Sequence, residues 1–139
     1  MNKALLDTDI VSEIAKSKDQ AVANNAKNHL RSFGHYTLSA VTVMELVRGF
    51  QKVQATARLN AFLATLPYME LLIFDQAAAE LAGRIAGELE RTGRPIGASD
   101  TMIAAIAIEN GLELVTGNTS DFQRVQNLGY PLTLINWWI

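Results

Sequence analysis

Apolar positions along the chain fall into short runs and helical stripes that alternate from one end to the other. Lys3–Leu6 is a brief apolar run of the kind a buried strand makes, and it stops at Asp7. Ile10, Val11, Ile14 and Ala15 fit one or two helical turns after it. Val22, Ala26, Leu30 and Phe33 recur at i, i+4, i+8 and i+11, one face of a helix that Gly34 ends. Tyr36–Ser39 reads as a second strand and leads into a helix from about Ala40 to Phe50. Ala55, Leu59, Phe62, Leu63 and Leu66 mark a further amphipathic helix, ended before Pro67. Leu71–Phe74 predicts a third strand, and Ala78, Leu81, Ala82, Ile85 and Leu89 line the helix behind it, closed at Thr92-Gly93-Arg94-Pro95. Asp100–Glu109 predicts a nearly all-apolar helix with Gly111 as its stop, and Glu113–Thr116 and Leu132–Ile135 are the last two strands.

Strands separated by helices, with no repeat or linker between them, predict a single α/β domain over residues 1–139. Its expected architecture is an open parallel sheet of about five strands with helices on both faces. In such sheets the chemistry gathers at the carboxyl ends of the strands, beside the switch in strand order.

Composition narrows the chemistry. Hydrophobic residues make up 49% of the chain and charged residues 19%, a globular rather than a disordered balance. There is no Cys, and His29 and His35 are the only histidines, which removes thiolate nucleophiles, Cys-ligated metals and His-rich metal sites. No run of about 18 apolar residues suits a bilayer, and Met1-Asn2-Lys3 leads straight into the first strand without a signal-peptide layout. A cytoplasmic protein with no membrane partner is the expectation. The net charge of −2 hides an uneven distribution: residues 14–69 carry +5, whereas residues 1–13 carry −2 and residues 70–139 carry −5. Solvated helix faces account for such a basic stretch, and so does a surface that meets a polyanion.

Four acidic positions stand out. Asp7 closes the first strand in Leu5-Leu6-Asp7-Thr8-Asp9, where an Asp also makes a good N-cap. Asp9 is accounted for as first-turn charge favoured by the helix dipole. Glu45 lies in Val41-Thr42-Val43-Met44-Glu45-Leu46-Val47, apolar enough that a carboxylate there needs a partner, with Arg48 at i+3 as the plain one. Asp100 opens the most apolar helix, where it and Ser99 compete as caps. Asp121 follows the fourth strand in Thr116-Gly117-Asn118-Thr119-Ser120-Asp121, and it or Ser120 would cap a short helix through Phe122 and Val125.

Each has an ordinary explanation alone, but all four lie at strand carboxyl ends or in helix starts, where one crevice collects them. Carboxylates packed together are not all ionised without a compensating cation. All-oxygen ligands suit Mg²⁺ or Mn²⁺. Such ions, bridged by a phosphate, are the usual machinery of phosphodiester cleavage. The expected first metal is held by Asp7 and Asp100, with Glu45 nearby and partly through water. Asn118 stands closer to the strand end than Asp121 but offers only a weak amide oxygen, so a second metal is expected to bind weakly.

Four stretches, Leu5-Leu6-Asp7-Thr8-Asp9, Leu38-Ser39-Ala40-Val41-Thr42-Val43-Met44-Glu45-Leu46, Gly97-Ala98-Ser99-Asp100-Thr101-Met102-Ile103-Ala104-Ala105 and Leu114-Val115-Thr116-Gly117-Asn118-Thr119-Ser120-Asp121-Phe122, carry a resemblance. In this order they resemble the four blocks of PIN-domain ribonucleases, closest to the VapC toxins of bacterial toxin–antitoxin operons. The resemblance implies an endoribonuclease that cuts cellular RNA, tRNA or rRNA, with Mg²⁺ or Mn²⁺ held at Asp7, Glu45 and Asp100. It also implies a homodimer, a VapB-type antitoxin that inserts a segment near the active site, and operator DNA bound only through that antitoxin. Two departures mark this chain. Asp9 stands where the family usually has Asn, and Asn118 where some members have Asp.

Two other readings compete. Asp7-Thr8-Asp9-Ile10-Val11 also fits the Asp-x-Asp-x-Val signature of HAD-type phosphatases, with Asp7 as nucleophile, but the late lysine of that family is absent: no Lys follows Arg94. A non-catalytic interaction module draws on Asn136-Trp137-Trp138-Ile139, whose tryptophans are better explained as core or dimer packing.

Overall fold

The structure is a computed structural model that describes residues 1–139. Five short strands, β1 (Ala4–Leu6), β2 (Thr37–Ser39), β3 (Glu70–Leu72), β4 (Glu113–Val115) and β5 (Leu134–Ile135), form one sheet in the order β3-β2-β1-β4-β5. Every pairing is parallel. The expected open parallel sheet is therefore present, and β1 lies at its centre. The chain builds outward from β1 to β2 and β3, then returns to the other side of β1 with β4 and β5. The order of strands switches beside β1, and the Asp7 N–H donates to Val115 O across that junction at 2.9 Å.

Seven helices connect the strands: α1 (Thr8–Lys16), α2 (Gln20–Phe33), α3 (Ala40–Lys52), α4 (Thr56–Thr65), α5 (Gln76–Arg91), α6 (Ala98–Glu109) and α7 (Thr119–Asn127). Alternation along the strands sends side chains to two cores. Leu5 and Leu114 join Ala82, Ile85, Leu89, Ile103, Ile106 and Phe122 on the face covered by α5, α6 and α7. Ala4, Leu6, Leu38 and Val115 join Ile10, Val22, Leu46 and Trp137 on the opposite face. Helices thus cover both faces, and Trp137, 3% exposed, packs in the core as expected of that segment. Its ring centroid lies 5.8 Å from that of the fully buried His29.

Side-chain caps start most of the helices. Asp7, Asp19, Ser39 and Asp75 each accept a hydrogen bond from a first-turn amide, an arrangement that stabilises a helix by about 1 kcal/mol. The α4 stripe ends one residue before Leu66, and Pro67 continues the chain in a 3-10 turn over Leu66–Tyr68 rather than simply stopping it. β3 is an edge strand whose surroundings leave Leu71 and Ile73 exposed. No helix is long and apolar enough to cross a membrane.

Candidate active site

The crevice at the carboxyl ends of β1 and β4 is built on Asp7. The strand ends at Leu6, and the extended backbone of Asp7 turns the chain into α1, which holds its carboxylate at the sheet edge. Oδ1 accepts from the Thr8 N–H and Oδ2 from the Thr116 hydroxyl, both at 2.8 Å. The capping role foreseen for Asp7 is real, yet it occupies one oxygen only. Asp7 is 5% exposed. Burial, above all, and the neighbouring Asp9 charge push its pKa from 3.8 up to about 7, against the two hydrogen bonds and with a smaller push from Asp100.

Glu45 does not pair with Arg48. The ion pairs of the structure are Lys3–Glu70 and Arg91–Glu88, with His35 Nε2 3.8 Å from Glu70. Glu45 Oε1 instead accepts from the Thr8 hydroxyl at 2.6 Å, and Thr8 Oγ1 lies 3.1 Å from Thr42 Oγ1. This ties α3 to the start of α1 and turns Glu45 toward Asp7's side of the sheet.

Asp100 is not a cap. The helix begins two residues earlier than its apolar pattern suggests, at Ala98, with Gly97 as N-cap and no side-chain cap. Asp100 therefore sits inside the first turn with its carboxylate free of the capping role. Its pKa is pushed from 3.8 up to about 6, first by burial and then by Glu45, Asp121 and Asp9. Glu45, Asp121 and Asp9 are thus near enough for their charges to act on Asp100.

Asn118 and Asp121, the two candidates after the fourth strand, are bonded to each other. The Asn118 amide donates to Asp121 Oδ2 at 3.2 Å, and the Asn118 N–H donates to Thr116 Oγ1 at 3.0 Å. Neither Asp121 nor Ser120 caps α7, which starts at Thr119 after Asn118 without a side-chain cap.

Asp9 is the residue that the sequence underrates. Its Oδ2 accepts from the Gly117 N–H at 2.8 Å, across the crevice, while Oδ1 is buried with no partner. Burial raises its pKa against the bonds from Gly117 and Ile10. Thr8 and Thr116, the hydroxyls that orient Glu45 and Asp7, were also not singled out.

The site therefore gathers Asp7, Asp9, Glu45, Asp100 and Asp121, and none of the ion pairs above reaches any of them. An orphaned carboxylate oxygen and an all-oxygen donor set fit a hard divalent cation. As placed, no three of these side chains stand close enough to form a ready-made ion cage.

The PIN domain family matches residues 4–128. The chain belongs to the PIN domain family. It is 39% identical over 129 residues to the tRNA(fMet)-specific endonuclease VapC of Shigella flexneri, covering 92% of this chain and 96% of that protein. It is 32% identical to the ribonuclease VapC2 of Haemophilus influenzae over 126 residues, 90% of this chain and 93% of the relative. Among solved structures, the DNA-bound VapBC complex of Salmonella typhimurium has a chain that superposes with a TM-score of 0.81, at 32% identity and 99% coverage of both chains. This PIN domain is thus of the VapC type, and the Asp-x-Asp-x-Val reading as a phosphatase loses its ground.

Proposed function

We propose that this PIN domain is a Mg²⁺- or Mn²⁺-dependent endoribonuclease, the toxin of a VapBC-type pair. The observation that supports it most is the convergence of five carboxylates, without a basic partner, on the strand-order switch between β1 and β4. Asp7 and Asp100 are the residues that would hold the first ion, with Glu45 and the Asn118–Asp121 pair beside them. When bound, such an ion supplies Lewis acidity toward phosphate oxygens and lowers the pKa of water.

The chain's own part is positional. Thr116 and the Thr8 N–H fix the two oxygens of Asp7, and the Thr8 hydroxyl fixes Glu45, so the acids keep their orientation without cationic neighbours. Asp7, raised to about 7, is partly protonated at neutrality and Asp100, raised to about 6, becomes so just below it, and a cation would displace these protons. RNA is the substrate in this reading. A tRNA is the first to be tried, because the Shigella relative is named for tRNA(fMet), and rRNA is the second.

The partner in this reading is a VapB-type antitoxin, since the similar solved structures are VapBC complexes. An apolar groove of ≈ 470 Å³ between α1, α3 and α4, lined by Leu6, Val11, Leu38, Leu46, Phe50 and Phe62, suits its inserted segment. Leu6 and Leu46 stand next in the chain to Asp7 and Glu45, so the groove borders the elements that carry the crevice. A homodimer, enlarged by the antitoxin and meeting operator DNA only through it, completes the proposal.

The test is cleavage of purified tRNA and rRNA. Cleavage is expected with Mg²⁺ or Mn²⁺, and it should be lost with EDTA and in Asp7→Asn and Asp100→Asn. Cleavage that survives both substitutions would overturn the mechanism. Growth arrest that persists unchanged in Asp7→Asn would point to an interaction module instead.

A further inference from the structure

The segment after β5 brings an aromatic ring to the crevice. Trp137 anchors it: the ring is buried, and Asn25 Nδ2 donates to its carbonyl at 3.1 Å. The next residue, Trp138, is held at its own N–H by Asn136 Oδ1 at 2.9 Å and remains partly exposed. Its six-membered ring lies against Gly117. A Cβ at Gly117 would stand 2.7 Å from Trp138 Cζ3 and 3.1 Å from Asp9 Oδ2. Gly117 is thus needed for close approach: it lets an indole and a carboxylate of the crevice meet over one backbone amide, which Asp9 already holds.

Trp138 packs in part against the core around Trp137 and keeps the rest of its ring open beside the proposed phosphodiester-cutting site, where such an indole has an evident chemical use. Bases of single-stranded RNA stack on aromatic rings with little regard to sequence. We propose that Trp138 is a stacking platform for a base next to the scissile phosphate, a substrate-binding residue of this site. The inference rests on the ribonuclease reading above. It adds that the RNA enters single-stranded at this point, because a base inside a duplex is already stacked on both faces.

The experiment measures affinity of a short single-stranded RNA of mixed sequence by anisotropy, in an Asp7→Asn background that prevents turnover, and kcat and KM in the otherwise wild-type protein. Trp138→Ala and Trp138→Leu are expected to weaken RNA binding about 5- to 100-fold. They should raise KM far more than they lower kcat, and Trp138→Phe should restore binding. Leu keeps apolar contact with Gly117, so loss in Leu and rescue by Phe separates stacking from packing. RNA should quench tryptophan fluorescence in the Asp7→Asn protein but not in its Trp138→Phe derivative, since Trp137 is buried. Gly117→Ala, which displaces the indole without removing it, should weaken binding as well. Unchanged affinity in Trp138→Ala, or a fall in kcat at constant KM, would overturn the inference while leaving the ribonuclease reading standing. A wild-type protein that neither binds nor cuts RNA would overturn both.

Discussion

Replacing Asp7 by Asn should make the metal-free protein more stable while removing its activity. The side chain is nearly isosteric, and its Oδ1 still accepts from the Thr8 N–H, while its amide is placed to donate to Thr116 Oγ1. What disappears is a buried charge. The rise of the Asp7 pKa from 3.8 to about 7 corresponds to ~4 kcal/mol at ~1.4 kcal/mol per pKa unit. Because the folded pKa is raised, the folded state holds a proton that the unfolded state has released between those two values. Asp7 thus favours folding fully below pH 3.8, and this contribution is lost as the pH rises through about 7. At pH 8 the wild type carries the whole cost of the ionised group and the Asn variant none. Allowing for relaxation around the charge, the variant's unfolding temperature should exceed the wild type's by about 5–10 °C at pH 8. The gap should shrink to less than half of that at pH 5 and approach zero only below pH 3.8. Differential scanning calorimetry of EDTA-treated proteins between pH 5 and 8.5 measures it. Equal unfolding temperatures at pH 8, or a gap that widens toward acid, would refute the reasoning.

Asn118→Asp should place a second carboxylate against Asp121, lowering the stability of the metal-free protein while tightening Mn²⁺ binding, as thermal melts and titration would show. Asp121→Asn should cost less cleavage activity than Asp7→Asn, because Asp121 reaches the site alongside Asn118 rather than from a strand end. His29, fully buried, accepts from the Ala4 N–H at 3.3 Å, and burial lowers its pKa. Its contribution is therefore full above pH 6.5 and lost as the pH falls below it. His29→Leu should remove that dependence in urea melts and cost about 1–3 kcal/mol at neutral pH by orphaning the Ala4 amide. Phe122→Ala, which empties the packing of α7 against the core, should cost about 3–5 kcal/mol in the same assay.

The fold was largely legible because its signals are local. Apolar runs bounded by Asp7, Ser39 and Gly111 mark strand and helix ends, and their alternation dictates a parallel sheet. The start of α6 was misplaced because Gly97 carries no side chain to announce a cap, so Asp100 looked like the first helical residue. Asp7, Glu45 and Asp100 were visible as acids in apolar company. Asp9 was not, because its bond to Gly117 joins residues 108 apart in sequence, and first-turn charge explained it locally. The same distance hid Thr116, whose hydroxyl reaches Asp7 across the switch in strand order. Asn118 and Asp121 looked like competitors because sequence spacing shows reach but not the hydrogen bond that joins them.

The claim at the centre of this account is that the carboxylate crevice is a divalent metal centre. Calorimetric titration of Mn²⁺ into the EDTA-treated protein near pH 6.5, repeated in buffers of different ionisation enthalpy, tests it most directly. The account predicts a single tight site whose occupation releases protons, since Asp7 and Asp100 have pKa values of about 7 and about 6. Both binding and proton release should vanish in Asp7→Asn and in Asp100→Asn. No saturable binding in the wild type, or binding of equal strength in both variants, would contradict it.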